Sequence, residues 1–285
     1  MPSIQKAYAK DFELIYPLMQ EFNNPLLDEA DWRALFTPHW PAPQDHFGYY
    51  IEDDGRAVGF LGTIFSQRMI NNRLYNFCNL STWIVKEEYR GMSLMLLFEV
   101  LKLKDYTITN FTAYRVASIL RKFGFTDLAV SVDVFLPLFN PAGLVSGIRL
   151  YSDPADLTSR LQGESQKIYQ DHARLKGRYE LLEKDSDQCL LVFDVVKRKR
   201  LPVARIQHIS NPQFFAHQIN RFAYSFCLKN RLSGIFVPGN LLKGNSAHPA
   251  MVIPQRQTQL YRSADLRAED IDSLYSELQI LGLQN

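Results

Sequence analysis

Two stretches of alternating apolar and polar positions dominate the first half of the chain and predict β-strands. Gly48–Gly55 ends in an Asp-Gly turn, and the apolar run AVGFLGTIFSQRMI follows it. Asn71-Asn72 gives a second tight turn, after which RLYNFCNLSTWIV alternates again. Asp-Gly and Asn-Asn pairs between alternating runs are typical of hairpins. The pattern therefore predicts a three-stranded antiparallel meander.

Helical spacing of apolar residues flanks this meander on both sides. Ile4–Ala7 is a short strand candidate, and two helices are predicted from Asp11 to about Phe22 and over Glu29–Leu35. After Arg90 the apolar positions surround a helix, which is typical of a buried helix on a sheet. A strand (DYTITNFT), a helix (AYRVASILRK) ending at Gly124, and a strand over Asp127–Leu138 follow. The predicted order is βααβββαβαβ.

Similar element types recur after Asn140–Gly143, a predicted linker. Strands are expected at GRYELLEK, CLLVFDVV and LPVARIQHI, and Asn211-Pro212 is a strong helix start. LSGIFVPG and QTQLYRS are further strands, and Ala268–Leu281 is predicted as a terminal helix. We therefore expect two α/β domains, 1–140 and 145–285, each with a mixed, largely antiparallel sheet flanked by helices.

Composition and charge narrow the function classes. The 32 basic and 30 acidic residues nearly balance, giving a net charge of +2, so no general attraction to nucleic acid or anionic membrane follows. The only dense basic run, Lys197–Arg200, lies between alternating segments and favours a solvated hairpin turn. Three scattered cysteines predict a reducing compartment, and neither a signal peptide nor a membrane span is expected. A cytoplasmic protein is predicted.

The segment WIVKEEYRGMSLMLLFEVLK, residues 83–102, carries the strongest candidate chemistry. It runs from a strand through a turn into a helix, and free backbone N–H groups at a helix N-terminus bind anions. Arg90 adds a cation and Gly91 allows a close backbone approach. The alternative is a plain Arg-Gly turn joining a strand to a core helix. Spacing alone does not separate these two interpretations.

The order of elements around this segment resembles the GNAT superfamily of acyl-CoA-dependent N-acyltransferases. That family's acyl-CoA motif has Arg or Gln, two residues, Gly, one residue, and Gly or Ala. In RGMSLM, Arg90 matches the first position, whereas Ser93 and Met95 depart from the two small-residue positions. RKFGF, residues 121–125, resembles the end of the family's second motif. The resemblance covers roughly residues 3–138, and the second half resembles a degenerate domain of the same kind.

The resemblance implies that acetyl-CoA or another acyl-CoA binds as co-substrate. Its pantetheine arm would bond the backbone of Trp83, Ile84 and Val85, where two strands separate near Asn110. Its pyrophosphate would lie on the loop from Arg90 to Met95. The implied cofactor-binding residues are Trp83, Ile84, Val85, Arg90, Gly91, Met92, Ser93, Leu94, Met95 and Asn110. Ser93 is compatible with this role if its backbone needs no positive φ, and Met95 decides whether the pocket is open.

The residues that would catalyse the reaction are not identified by the sequence. The family often places a Tyr acid four residues before the Gly of the G-F pair, where this chain has Leu120, and a carboxylate base on the strand before the motif, where it has none. Three weak candidates remain. Tyr114 begins the same helix, His39 lies in the Pro-rich loop TPHWPAP, and Cys78 is a lone strand cysteine typical of a core residue. No spacing indicates a metal site.

The predicted function is transfer of an acetyl or other acyl group from acyl-CoA to an amine of a small molecule or sugar. The acceptor would bind between the two domains or against the aromatic residues of the TPHWPAP loop. The alternative is a non-catalytic protein of the same fold that binds CoA as a sensor or interaction module. The sequence specifies neither the acceptor, nor the acyl chain length, nor the oligomeric state.

Overall fold

The computed structural model of the chain describes residues 1–138 and 147–283. The predicted linker Asn140–Gly143 lies outside these residues. The chain forms two compact units. The first contains Met1–Thr126, Gln259–Asp265 and Tyr275–Leu281, and the second contains Asp127–Thr258, Leu266–Leu274 and the residues from Gly282. No helix among the described residues has both the length and the apolar composition needed to cross a membrane.

The first unit is built on a seven-stranded mixed sheet in the order β1-β2-β3-β4-β5-β14-β6. The strands, numbered along the chain, are β1 Ser3–Lys6, β2 Gly48–Asp53, β3 Arg56–Ile70, β4 Arg73–Val85, β5 Tyr106–Asn110, β6 Thr126–Asp127 and β14 Leu260–Arg262. The predicted meander corresponds to β2, β3 and β4, which pair antiparallel. Two tight turns permit this pairing, since Asp54 and Asn71 take the positive φ values that Asn and Asp tolerate.

Helices cover this sheet at the positions where the spacing predicted them. They are α1 Phe12–Gln20, α2 Glu29–Ala34, α3 Ser93–Leu101 and α4 Ala117–Lys122, with a short α8 Glu277–Leu281 near the end of the chain. Asp28 and Asp31 form a capping box that starts α2. Leu96, Leu97 and Val100 of α3 are fully buried in one core with residues of β3, β4 and β5. Burial of this apolar face fixes α3 against the sheet.

β4 and β5 are parallel neighbours along only part of their length. Their register runs from Asn76↔Tyr106 to Asn79↔Thr109 and stops there. β4 continues to Val85, paired only with β3 on its other edge. The β3–β4 register also shifts between Leu61 and Thr63, which places a bulge in β4 just after the last pair with β5. The sheet therefore opens between β4 and β5 beyond Asn79 and Thr109.

The second unit contains its own seven-stranded mixed sheet, ordered β13-β7-β12-β11-β10-β9-β8. Its strands are β7 Ser131–Phe135, β8 Arg149–Tyr151, β9 Arg178–Lys184, β10 Asp187–Arg198, β11 Leu201–Ile209, β12 Ile235–Pro238 and β13 Met251–Pro254. Its helices are α5 Pro154–Arg160, α6 Gly163–His172 and α7 Pro212–Asn230. Asn211 caps α7 by accepting a hydrogen bond from the Phe214 N–H, with Pro212 in its first turn. Two mixed sheets with helices confirm the predicted fold class.

Two predicted elements differ from the structure. The strand predicted over 127–138 is β7, residues 131–135, and it pairs with β12 and β13 of the second sheet. Conversely, β14 and α8 belong to the first unit. Each unit therefore includes chain segments from both sides of the boundary expected near residue 140. Alternation along a strand identifies its buried face but does not identify which sheet it joins.

The terminal helix predicted over 268–281 is interrupted. A 3₁₀ turn covers Ala268–Asp270, and α8 begins only at Glu277. The Asp272 carboxylate accepts a hydrogen bond from the Leu274 N–H, and Tyr275 has φ 57°. Side-chain bonds to nearby backbone compete with helix formation. This interruption gives the segment 275–281 its own path into the first unit.

Candidate active site

A groove of about 460 Å³ lies beside the free edge of β4. β4, α3 and α4 supply its walls. The lining residues are Trp83, Val85, Arg90, Ser93, Leu94, Val116, Ile119, Lys122 and Phe123. Apolar side chains form most of this surface, and the two cations are Arg90 and Lys122. An apolar groove with cations and an unpaired strand edge fits a pantetheine arm joined to phosphates.

The segment before α3 forms a 3₁₀ helix over Glu87–Met92, and Ser93 then begins the α-helix. Ser93 has φ −54° and ψ −41°, so its backbone is ordinary right-handed helix and does not require glycine there. Gly91 has open space where a Cβ would be. The Arg90 guanidinium is exposed and lies 3.5 Å from the Glu87 carboxylate. Exposed ion pairs of this kind are weak, so Arg90 can turn to a bound phosphate.

The other predicted cofactor residues occupy different surroundings. Met95, the residue expected to decide whether the pocket is open, is 45% exposed and is not part of the groove lining. Met92 packs against the core beneath α3, and Ile84 pairs with Phe60 of β3. The Asn110 side chain accepts a hydrogen bond from the Thr112 N–H at 2.9 Å and so shapes the turn after β5.

A buried carboxylate, Glu277, lies at the opening between β4 and β5. One of its oxygens accepts a hydrogen bond from the Asn79 side-chain amide, and the other accepts one from the Thr112 hydroxyl at 3.0 Å. Asn79 is the last β4 residue that pairs with β5, and Thr112 follows the end of β5. The Asn79 side-chain oxygen in turn accepts a hydrogen bond from the Thr109 hydroxyl at 3.1 Å. Glu277 is therefore held at the point where the two strands part.

The electrostatic surroundings of Glu277 are unusual for a carboxylate. Its exposed fraction is 2%, and no ion pair joins it to a cation of the described residues. Burial raises its pKa from the ordinary 4.5 to about 7, although the hydrogen bonds from Asn79 and Thr112 favour the ionised form. A carboxyl group with a pKa near neutrality takes up and releases protons readily at physiological pH. Perturbed groups of this kind cluster at functional sites.

None of the three weak catalytic candidates resembles this arrangement. Cys78 is fully buried among apolar residues, and burial raises the pKa of its thiol well above the usual range, so the thiolate needed for nucleophilic attack does not form at neutral pH. Tyr114 is 80% exposed. His39 is hydrogen-bonded to the Ala34 carbonyl at 2.8 Å, which pins its loop. Leu120, at the position of the family's Tyr acid, is buried in the core.

Sequence reasoning did not identify Glu277, since 198 positions separate it from Asn79. The only local signal is a single charged residue in the largely apolar run YSELQIL. That run was predicted as part of an amphipathic helix, in which a Glu would face solvent. The described residues also contain no group of three or more His, Cys, Asp or Glu side chains placed to hold a metal ion.

A second cavity, of about 490 Å³, lies in the first unit on the side of the TPHWPAP loop. Trp40 is pinned there by a hydrogen bond of 2.8 Å from its indole N–H to the Phe65 carbonyl, and its ring packs edge-on against Tyr275. His39, Trp40 and Ile280 line this cavity together with residues of β3. The aromatic residues of the loop thus both fix the loop and line a cavity.

Comparisons with solved structures identify known proteins that share this fold. No protein-family model and no curated protein sequence matches the chain. A solved GCN5-related N-acetyltransferase from Kribbella flavida matches with a TM-score of 0.61 at 15% identity, covering 94% of this chain and 72% of that one. Another such enzyme, from Anabaena variabilis ATCC 29413, has a TM-score of 0.57 at 13% identity, and the match covers 92% of this chain and 72% of that one. A conserved protein of unknown function from Enterococcus faecalis V583 has a TM-score of 0.55 at 12% identity, with 94% of this chain and 74% of that one covered. The chain therefore has the GNAT fold.

Proposed function

We propose that this chain, which has the fold of the GCN5-related N-acetyltransferases, transfers an acyl group from acyl-CoA to an amine. The observation that carries the proposal is the buried carboxylate of Glu277 at the opening between β4 and β5. Burying a carboxylate without a cation costs stability, and a protein that only binds acyl-CoA has no evident need for such a group here. An acyltransferase does need one, because a base must remove a proton from the acceptor ammonium.

Acyl-CoA would enter along the groove beside β4. The backbone of 83–85, free on the β5 side, would bond the pantetheine amides as a neighbouring strand does. Arg90 and Lys122 would face the phosphates, with the first turn of α3 nearby. The bulge in β4 after Asn79 would leave backbone N–H groups available to donate to the thioester carbonyl and so polarise it. Acetyl-CoA is the simplest donor that this arrangement accepts.

In the reaction, Glu277 accepts one proton from the acceptor ammonium, and the neutral amine nitrogen attacks the thioester carbonyl. The C–N bond forms, the C–S bond breaks, the nitrogen loses its second proton to water, and CoA leaves as a thiolate. A thiol has a pKa of about 8.5, so the thiolate takes its proton from water without a dedicated acid. The absence of a Tyr at position 120 is therefore compatible with turnover. The free, buried thiols of Cys78, Cys189 and Cys227 support our proposal that the reaction takes place in the cytoplasm.

A second candidate function is acyl-CoA binding without catalysis, as in a sensor. Leu120 favours this second function, because it is a buried core residue at the position where the family has its Tyr acid. Both candidates require the groove beside β4. They differ in whether thiol is released when acyl-CoA and an amine are present together.

Acetyl-CoA is expected to raise the melting temperature of the protein by several degrees at concentrations far above its Kd, because it binds only the folded state. Arg90→Ala should weaken this binding about tenfold by removing a cation from the phosphates. Arg73→Ala is the matched control, since Arg73 is similarly exposed but pairs with Asp265 and does not line the groove. Thermal-shift titrations of the three proteins measure this.

Unchanged melting temperatures with acetyl-CoA and with long acyl-CoAs would overturn both candidate functions. If Arg90→Ala and Arg73→Ala weaken acetyl-CoA binding equally, the phosphates do not bind at Arg90. Release of thiol from acetyl-CoA, measured across a panel of amines, then separates an enzyme from a sensor.

A further inference from the structure

The cavity beside the TPHWPAP loop shares walls with the surroundings of Glu277. Ile64 of β3 lines the cavity and is the register partner of Asn79, which binds Glu277. Ile280, another lining residue, follows Glu277 by three positions in α8. Residues three apart on a helix lie on the same face. Ile64 and Ile280 therefore connect the wall of the cavity with the surroundings of Glu277, while the carboxylate within the lining itself is that of the exposed Asp45.

The buried walls of the cavity are apolar and aromatic. They include Leu35, Trp40, Ile64, Phe65 and Ile280, with the partly buried Phe47 beside them. The charged lining residues are Lys10 and Asp45, and both are exposed at the surface. A second ammonium group, or the several hydroxyls of a sugar, would be desolvated against these walls without partners. The volume of about 490 Å³ is within the range typical of small-molecule sites.

Two buried polar side chains in the lining lack hydrogen bonds of ordinary geometry to other described residues. They are the Thr63 hydroxyl and the ring nitrogens of His46, although the Gly48 backbone interacts with the His46 ring. The His46 ring lies edge-on to Tyr49 and Phe65, with centroids 4.9 Å away in each case. Burial, together with the nearby Lys6, lowers the pKa of His46 to about 4, so the ring is neutral near pH 7. Leaving such groups unpaired is unfavourable, and a ligand with one polar group would satisfy them.

We propose that this cavity binds the acceptor, and that the acceptor is a primary amine on an aromatic or branched aliphatic body carrying one hydroxyl or amide group for Thr63 and His46. This proposal rests on the proposed acyl transfer, and it places the acceptor inside the first unit. It excludes amino sugars and polyamines, for which the lining offers too few polar and no buried charged partners. The amine nitrogen faces Glu277, while the body fills the space beside Trp40 and Ile64.

The test compares 2-phenylethylamine, its ring-hydroxylated forms, D-glucosamine and putrescine as acceptors with acetyl-CoA. The best hydroxylated phenylethylamine should exceed 2-phenylethylamine about tenfold in kcat/KM, and both should exceed the sugar and the diamine. Thr63→Val keeps the shape of the side chain and should remove the tenfold advantage of the hydroxyl. Thr107→Val is the control, since Thr107 is a buried residue of the same sheet whose hydroxyl bonds Ser263 outside the cavity.

A binding measurement keeps this test separate from the chemistry. With free CoA present, calorimetry should show binding of the hydroxylated amine to the wild-type protein and about tenfold weaker binding to Thr63→Val. If acetyl-CoA binds and glucosamine reacts as well as the aromatic amines, the acceptor proposal fails while the function stands. If Thr63→Val changes the preference for octanoyl-CoA over acetyl-CoA instead, the cavity holds the acyl chain and the proposal is overturned. Absence of amine binding overturns it whether or not thiol is released.

Discussion

Glu277→Gln is expected to lower kcat/KM for the amine by about 10²–10⁴-fold, the usual contribution of a general base. Glutamine has nearly the same shape but does not accept the proton of an ammonium group. The variant should still gain thermal stability from acetyl-CoA, because Glu277 does not line the groove beside β4. Steady-state thiol release and thermal shift, measured on the same preparation, separate the loss of chemistry from a loss of binding.

The pH profile gives a sharper check of the same role. A general base acts in its ionised form, so the wild-type rate should fall as pH drops below about 7, the pKa of Glu277. The residual rate of Glu277→Gln should not show this fall at low pH, the acid limb of the profile. If Glu277→Gln keeps activity within threefold of wild type and shows the same limb, another group takes the proton.

Thr112→Val serves as the positioning control. The Thr112 hydroxyl donates to the carboxylate and lowers the pKa of Glu277. Removing that bond should raise the pKa further and move the limb to higher pH, while the rate well above the limb falls less than tenfold. A structural defect alone would reduce the rate without moving the limb.

Local pattern predicts much of this fold because local features determine it. The meander β2–β4 was predicted from two turns and two alternating runs, and the capped start of α7 was predicted from Asn211-Pro212. The position of Ser93 at a helix start also follows from local spacing. In each case a few neighbouring residues determine the backbone.

Long-range pairing was not predictable in the same way. Neither the alternation of β7 nor that of β14 specifies its sheet, and the two strands join opposite units from those expected. The same limit applies to Glu277, the proposed base. A carboxylate was sought on β4, where the family places it, but β4 carries Asn79, and the acid comes from the far end of the chain. A residue type and its spacing do not indicate burial when the partners are almost 200 positions apart.

Glu277→Gln is also expected to stabilise the protein at high pH, which opposes its effect on activity. The carboxyl has a pKa of about 7 when folded and an ordinary value of 4.5, so the folded state holds the proton more tightly. The stabilisation from this group is therefore fully present below pH 4.5 and is lost as pH rises through about 7. The full difference corresponds to about 3 kcal/mol in the free energy of unfolding. Glutamine does not ionise and avoids this loss.

The geometry around residue 277 accommodates the amide. Its oxygen can accept from Asn79, and its NH₂ can donate to the Thr112 hydroxyl, so both neighbours keep a partner. Urea unfolding should give similar stabilities for the two proteins near pH 5 and an advantage of about 2–3 kcal/mol for Glu277→Gln at pH 9. The same difference at both pH values would indicate a change in packing rather than removal of a charge.

A second buried glutamate provides the matched contrast. Glu180 in the second unit is as inaccessible as Glu277, but the Lys229 ammonium lies 2.6 Å from it and Asn230 donates to its other oxygen. Glu180→Gln removes one charge of a paired set and should destabilise the protein by about 1–3 kcal/mol near neutral pH. The same Glu→Gln substitution should therefore change the free energy of unfolding in opposite directions at the two sites, because a cation lies beside Glu180 and none of the described residues forms an ion pair with Glu277. A carboxylate kept at a cost to stability is what a catalytic base requires, whereas a structural one is paired.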